Sequence, residues 1–260
     1  MRERSLAGKA LSLLPFAAVA AWSGNAALTR LRHDRRGAGP EQLEFVVGSM
    51  DDTIMETLET GDVVLFSRKL TALQPLAALY TWVARQRYDP RFDHCGWLYV
   101  DKLGRKFVVE ETLAKVQCRP FSARILMSES SEIAVLPLKV ERTKEFEDAA
   151  FRFVSENVDR PSRVSLRHVA AALIDPRGQL GLVAPPSSDD APLFPSAAFV
   201  VEAYEALGLV DKSALTAADA PAPIVTAATV TPRTLIARNK VQFRRETHAT
   251  FDPLIPIRLY

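Results

Sequence analysis

Short apolar runs occupy the middle of the chain and are interrupted by polar and glycine-containing turns. Runs of this length, rich in Val, Ile, Phe and Tyr, are typical of buried strands. They cover residues 63–67, 93–101, 105–112, 115–121 and 132–139. Leu103 and Gly104 form a turn that joins the second and third runs as a hairpin. The pattern therefore predicts an antiparallel β-meander.

Apolar residues at helical spacing lie on both sides of this central region. Predicted helices cover residues 41–59 (broken at Gly48), 70–86, 143–158, 163–175, 196–210 and 231–238. Residues 181–195 read as a long loop, and residues 211–231 as irregular chain. The order of helix, strand, helix, strands and then helices indicates an α+β domain in which the meander packs against helices.

The N-terminal segment differs from the rest of the chain. Residues 1–37 hold seven basic and two acidic side chains, and Ala10–Thr29 is an uncharged run of 20 residues. A helix of that length would just cross a hydrocarbon core of about 30 Å, although its alanines and Pro15 make it a weak span. Three interpretations are open: a membrane anchor, an Arg-rich presequence most like a mitochondrial one, or an apolar helix packed on a partner.

These features divide the chain into three parts. Residues 1–37 are predicted to be a targeting or membrane-anchor helix, followed by a linker at residues 35–40. The globular domain is expected over residues 41–245, and residues 246–260 are expected to be a C-terminal tail.

The composition, the number of cysteines and the motifs that are missing exclude several classes of function. The 260 residues are 48% apolar and 25% charged with a net charge of +2, so the chain suits a globular domain and no nucleic-acid partner is expected. Two cysteines cannot form a disulfide scaffold or a four-thiolate zinc site. Neither a P-loop nor a GxGxxG motif occurs, and we expect no cofactor and no metal.

Five motifs follow one another in an informative order. They are GDVVLF at 61–66, FDHCGWLYVD at 92–101, KFVVEET at 106–112, FPSAAFVVEAYEALGL at 194–209 and TPRTLIA at 231–237. This order resembles the circularly permuted papain-like amidases and peptidases, including the permuted NlpC-type hydrolases, over roughly residues 58–240. The resemblance implies a permuted papain-like domain.

The resemblance also implies three site residues. His94 matches the general base, Glu110 the residue that orients it, and Ser196 the position of the nucleophilic cysteine at a helix start. A serine hydroxyl ionises far less readily than a thiol, so it needs a base to remove its proton. Ser196 also suits a helix N-cap, which is the interpretation we weight more heavily. Cys95 and Cys118 are expected to be packing residues, because Cys95 should point to the sheet face opposite His94.

Three functions follow as hypotheses. The favoured one is a catalytically inactive papain-like domain that serves as a structural or accessory subunit of a membrane-associated complex. Its partners would be the other subunits and, through residues 10–29, the membrane; the expected location is mitochondrial, at the inner membrane. The alternatives are a Ser- or Cys-type amidase or acyl hydrolase that uses His94 and Ser196, and a non-catalytic pocket for a lipid or peptide.

Overall fold

The centre of the protein is a six-stranded antiparallel sheet. A computed structural model describes residues 17–29, 31, 45–88, 91–164, 194–210, 230–237 and 241–257. The sheet contains β1 (Val63–Arg68), β2 (His94–Val100), β3 (Lys106–Glu111), β4 (Val116–Pro120), β5 (Ser130–Leu136) and β8 (Ile255–Ile257). Their spatial order is β4-β3-β2-β1-β5-β8, and every pair is antiparallel. The predicted α+β class, with an antiparallel sheet packed against helices, is confirmed.

The helices begin where the sequence offers a cap or a proline. Ser49 accepts a hydrogen bond from the amide of Asp52 at the start of the first helix, and Thr143 caps the fourth in the same way. The helices are α1 (Met50–Thr57), α2 (Pro75–Tyr88), α3 (Phe121–Leu126), α4 (Lys144–Asn157), α5 (Pro195–Ala206) and α6 (Pro232–Ile236). Short 3₁₀ turns cover Leu70–Ala72 and Arg245–Thr247.

The sheet is buried on both faces, which explains why its strands read as nearly continuous apolar runs. One face, here called the α5 face, carries Leu65, Cys95 and Trp97 in a core shared with Phe199 of α5. The other, here called the Phe66 face, carries Phe66, Leu98, Val108, Phe121 and Ile133. Side chains alternate between the faces along each strand, so consecutive residues of β2 belong to different cores.

Two details of the strand prediction are corrected. Pro120 ends β4, and the next six residues form α3, which the strand predicted over residues 115–121 did not include. Pro137 divides the run predicted over residues 132–139, because proline has no amide hydrogen for the ladder. Beyond it, β6 (Leu138–Lys139) pairs with β7 (Thr250–Phe251) in a separate two-stranded sheet. Most of the predicted helix over residues 163–175 lies outside the described residues.

The C-terminal residues belong to the domain rather than to a tail. Ile255 and Ile257 of β8 pair with β5, at one edge of the main sheet. Ile257 is buried in the core of the Phe66 face. The boundary expected at residue 245 is therefore wrong, because the chain after it supplies two paired strands.

Residues 17–29 of the N-terminal segment are helical. Trp22 in this stretch donates its indole N–H to the carbonyl of Thr71 at 3.2 Å. Within the described ranges, no helix combines the length and the hydrophobicity needed to cross a membrane. The long apolar N-terminal helix expected from the sequence is therefore not supported by the described part of the chain.

Candidate functional site

His94 and Glu110 form a buried pair on adjacent strands. His94 is the first residue of β2, and Glu110 lies near the end of β3, which pairs with it. Nε2 of His94 lies 2.6 Å from Oε2 of Glu110, and both side chains are almost fully buried. The structure thus brings together the two residues that the resemblance assigns to the base and its orienting group.

A third residue completes this cluster. Arg124 of α3 donates from Nε to Oε1 of Glu110 at 2.7 Å and from Nη2 to Oε2 at 3.0 Å. The same guanidinium lies over the ring of Phe66, 4.0 Å from its centroid. Sequence reasoning missed Arg124 because α3 was not predicted. The one feature of the sequence that distinguishes Arg124 is its positive charge in the otherwise uncharged segment FSARIL.

The surroundings of Glu110 and His94 determine which of the two side chains is protonated. Burial alone would raise the pKa of Glu110, but Arg124 and His94 lower it well below its ordinary range. Burial lowers the pKa of His94, and the positive charge of Arg68 lowers it further, against the opposing effect of Glu110. The pair therefore consists of an ionised carboxylate and a neutral imidazole near neutral pH.

Gly96 makes room for this arrangement. It lies on the same face of β2 as His94, and a Cβ atom built on it would lie 2.3 Å from Cγ1 of Val108 and 3.5 Å from Cβ of Glu110. Any side chain at this position would force Val108 to shift. The glycine therefore permits the close packing of Val108 and Glu110 beside the imidazole.

Ser196 occupies a different environment. It is the second residue of α5, its side chain is buried, and Phe194 holds the N-cap position without a side-chain hydrogen bond. The interpretation of Ser196 as the cap is therefore wrong. Its hydroxyl instead accepts a hydrogen bond from the backbone amide of Cys95 at 3.3 Å and lies 3.8 Å from the thiol of Cys95.

The imidazole and the hydroxyl belong to opposite faces of β2. Ser196 meets Cys95, whose side chain lies in the core of the α5 face. The ring of His94 lies 5.9 Å from that of Phe66, on the other face. Among the described residues no hydrogen bond joins His94 to Ser196, and the Nε2 atom of His94 is already engaged by Glu110.

Both cysteines are packing residues, as predicted. Cys95 is fully buried, and burial raises its pKa to about 12. Cys118 is half-buried against the core of the α5 face, and burial raises its pKa also. A thiol with a raised pKa holds little thiolate near neutral pH, so neither residue has the properties of a nucleophile.

A small, partly open cleft of about 30 Å³ lies beside the start of α5. Its polar walls include Arg68, Asp93, His94, Glu111 and Ser196. Tyr80 and Ala84 of α2, together with Leu113, Phe194 and Pro195, supply the apolar part of the lining. His94 and Ser196 therefore border one space without contacting each other through a hydrogen bond.

Arginines neutralise the first of two buried carboxylates in this cleft. Asp93 has no exposed side-chain surface and accepts from Nε of Arg68 at 2.8 Å and from Arg85. Its Oδ2 also accepts from the backbone amide of Arg68 at 3.2 Å. Sequence reasoning gave Asp93 no role, because its partners lie on β1 and α2, distant in the chain.

The second carboxylate, Glu111, is bound from the segment that follows α4. Arg163 donates to Oε2 at 2.7 Å, and Ser162 donates to Oε1 at 3.2 Å. Arg163 and Arg160 also reach Glu202 of α5, which joins this segment to the helix. Buried charges with full sets of partners hold a fixed arrangement, so neither Asp93 nor Glu111, the carboxylates among the described residues that line the cleft, is free to act as a base.

In the described part of the chain, no cluster of three or more His, Cys, Asp or Glu side chains is arranged to hold a metal ion.

Comparisons with known proteins give little further information. No protein-family model matches the chain, and no curated protein matches it. A solved structure with some similarity is the crystal structure of the metalloprotein YiiX (DUF1105) from Escherichia coli O157:H7, at 18% sequence identity and a TM-score of 0.30. The match covers 45% of this chain and 65% of that one, which is less than two thirds of its length. At this TM-score the likeness supports no conclusion about fold, metal or activity.

Proposed function

We propose that the domain is a catalytically inactive, permuted papain-like domain that serves as an accessory subunit of a membrane-associated complex. The observation that carries the proposal is that, among the described residues, no hydrogen bond joins Ser196 to His94. The hydroxyl is held by the amide of Cys95 on the α5 face, while the imidazole pairs with Glu110 on the Phe66 face. A serine without a base in contact stays protonated and is a weak nucleophile.

The order of the elements supports the papain-like assignment. A central strand begins after the Gly61–Asp62 pair, the next strand begins with His94, the third carries Glu110, and a late helix packs on β2 and β3. This is the order in which the resembling family places its motifs. The 2.6 Å contact between His94 and Glu110 fits a base and its orienting residue that have lost their nucleophile.

The same observations argue against the two alternative functions, more strongly against an active hydrolase than against a binding pocket without turnover. An active hydrolase would need a hydrogen bond between Ser196 and His94, and the described residues show none. A binding pocket without turnover has in its favour only a small cleft of about 30 Å³, which has both polar and apolar walls. That second candidate is compatible with an accessory subunit.

Membrane association and a mitochondrial inner-membrane location are part of the proposal. They are supported by the composition of residues 1–37, which combine an excess of basic residues with the uncharged run Ala10–Thr29. An accessory role is supported by an intact core around residues that lack a catalytic arrangement.

Two measurements test the proposal. The first is labelling of the folded full-length chain with a fluorophosphonate probe, which reacts with activated serines. We expect no labelling, and labelling that disappears in Ser196→Ala but persists in Ser155→Ala, an exposed serine of α4, would contradict inactivity.

The second measurement is the native mass of the chain after extraction from its source in a mild detergent. An accessory subunit is expected to migrate with a larger assembly. A chain that migrates as a monomer under these conditions would overturn the assignment as a subunit.

A further inference from the structure

Helix α2 carries an apolar stripe that the described part of the chain leaves partly exposed. Leu76, Leu79 and Trp82 are spaced three residues apart, so they lie along one side of the helix. Their side chains are 46%, 43% and 47% exposed, while Ala78 and Ala84 on other sides are buried. A contiguous exposed stripe with a tryptophan marks an interaction surface more often than isolated exposed apolar residues do.

The N-terminal helical segment meets the domain next to this stripe. Trp22 donates to the carbonyl of Thr71, in the 3₁₀ turn that is separated from the start of α2 by two residues. Trp22 itself is 36% exposed, and Val19 and Leu28 of the same segment are also exposed. Two partly exposed tryptophans therefore lie on neighbouring elements.

The charge of the adjoining sequence indicates what covers this surface. Basic residues occur on both sides of the uncharged run in which Trp22 lies: Arg2, Arg4 and Lys9 before it, and Arg30, Arg32, Arg35 and Arg36 after it. Lys69, beside the 3₁₀ turn, is exposed and lies 3.7 Å from Glu129. An apolar surface with Trp and Leu, joined in the sequence to basic segments, is complementary to a bilayer with anionic headgroups.

We infer that the stripe on α2, together with helical residues 17–29, binds the surface of an anionic lipid bilayer. This inference rests on the membrane association in the proposed function and adds a second contact to it. Trp82 and Leu79 enter the interfacial region, where an indole buries its ring and keeps its N–H hydrated. The domain is then held against the membrane with α2 facing the lipid.

Tryptophan fluorescence tests the contact directly. The chain has three tryptophans, and Trp97 is fully buried. In the Trp22→Phe variant, Trp82 is therefore the one partly exposed tryptophan. We expect its emission to shift to shorter wavelength with vesicles of equal parts phosphatidylcholine and phosphatidylglycerol, but not with phosphatidylcholine alone. The Trp22→Phe, Trp82→Phe variant, which keeps Trp97, should show no shift.

Co-sedimentation with the same vesicles measures the contribution of the stripe. We expect Leu79→Ser with Trp82→Ser to lower the affinity for the anionic vesicles at least about tenfold, because two apolar side chains no longer leave water. The matched control is Leu103→Ser, an exposed leucine in the hairpin turn, which should bind as the unchanged protein does.

Three results would overturn the inference. One is equal vesicle binding by the double serine variant and the unchanged protein. Another is no binding of the unchanged protein to either kind of vesicle. The third is a protein partner from the native complex that is lost in the double serine variant while vesicle binding persists. None of them bears on the inactivity of Ser196, which the fluorophosphonate experiment tests separately.

Discussion

Ser196 and Cys95 share a hydrogen bond, in which the backbone amide of Cys95 donates to the hydroxyl of Ser196 across 3.3 Å. The bond joins the first turn of α5 to the start of β2 on the α5 face of the sheet. His94, the neighbour of Cys95 in sequence, directs its imidazole to Glu110 on the other face. The alternation of side chains along one strand thus separates the hydroxyl from the base.

The ionised cluster of Glu110, His94 and Arg124 predicts a large loss of stability when its carboxylate is removed. We expect Glu110→Gln to lower the free energy of unfolding by about 3–5 kcal/mol, because it leaves the buried guanidinium of Arg124 without a counter-charge. Urea denaturation measures the change. Glu156→Gln, an exposed glutamate of α4, is the matched control and should change stability little.

Stability should also depend on pH through His94. In the folded state the pKa of His94 lies below its ordinary value of 6.5. At pH values between these two pKa values, the unfolded chain therefore binds more protons than the folded chain does. The free energy of unfolding therefore falls as the pH decreases below 6.5, with a slope of up to about 1.4 kcal/mol per pH unit.

The His94→Gln variant isolates this effect. Its stability should be nearly independent of pH between the folded pKa of His94 and about 7, because Gln does not titrate. The pKa of Glu110 is also lowered, so its contribution is lost only at more acidic pH, as the pH falls through its folded pKa. An unchanged slope near pH 6 in the variant, from denaturant titrations across the pH range, would show that His94 is not the titrating group.

The two cysteines should differ in reactivity. Burial raises the pKa of Cys95 to about 12, whereas Cys118 is half-buried. We expect iodoacetamide at mildly alkaline pH to modify Cys118 first and Cys95 only after unfolding. Mass spectrometry of the intact and digested chain identifies the modified residue. Modification of Cys95 in the folded protein at a rate similar to that of Cys118 would contradict its burial.

Close packing around Gly96 gives a further prediction. Gly96→Ala should destabilise the fold by about 1–3 kcal/mol, because the added methyl group would overlap Cγ1 of Val108. Because Val108→Ala removes the methyl group that the new side chain would overlap, the double variant should be more stable than the sum of the two single effects predicts. The expected coupling free energy in a double-mutant cycle is about 0.5–3 kcal/mol. Gly24→Ala, where no atom lies within 4 Å of the added group, is the control and should not destabilise. If the two substitutions changed the free energy of unfolding in a strictly additive way, the side chains at positions 96 and 108 would not be in contact, and this part of the packing would be wrong.

Much of the fold could be predicted because short-range patterns of apolar residues determine these strands and helices. The apolar runs of β1, β2 and β3 and the amphipathic pattern of α4 follow from periodicity alone. The six-residue α3 could not be predicted in this way, since a helix of less than two turns leaves no periodic signal. Ile255 and Ile257 gave too short a pattern to reveal a strand, and pairing with β5 decides their structure.

The candidate site was predictable only in part. The resemblance to the permuted papain-like family implied that His94 and Glu110 act together, and the predicted strands placed them on neighbouring elements. Their partner Arg124, and the arginines that bind Asp93, come from elements whose positions depend on tertiary packing. Which face of β2 receives the start of α5 also depends on that packing, so the sequence alone did not show that Ser196 would meet Cys95 rather than His94.

The pH dependence of alkylation at position 196 shows whether His94 can activate a nucleophile there. Ser196→Cys in a Cys118→Ser background introduces one thiol at the start of α5, and iodoacetamide reacts with its thiolate. Because Nε2 of His94 is engaged by Glu110, we expect the same midpoint of alkylation with and without the further change His94→Gln. A midpoint that rises by about one pH unit or more when the imidazole is removed would show that His94 activates this position, and the proposed inactivity would then be wrong.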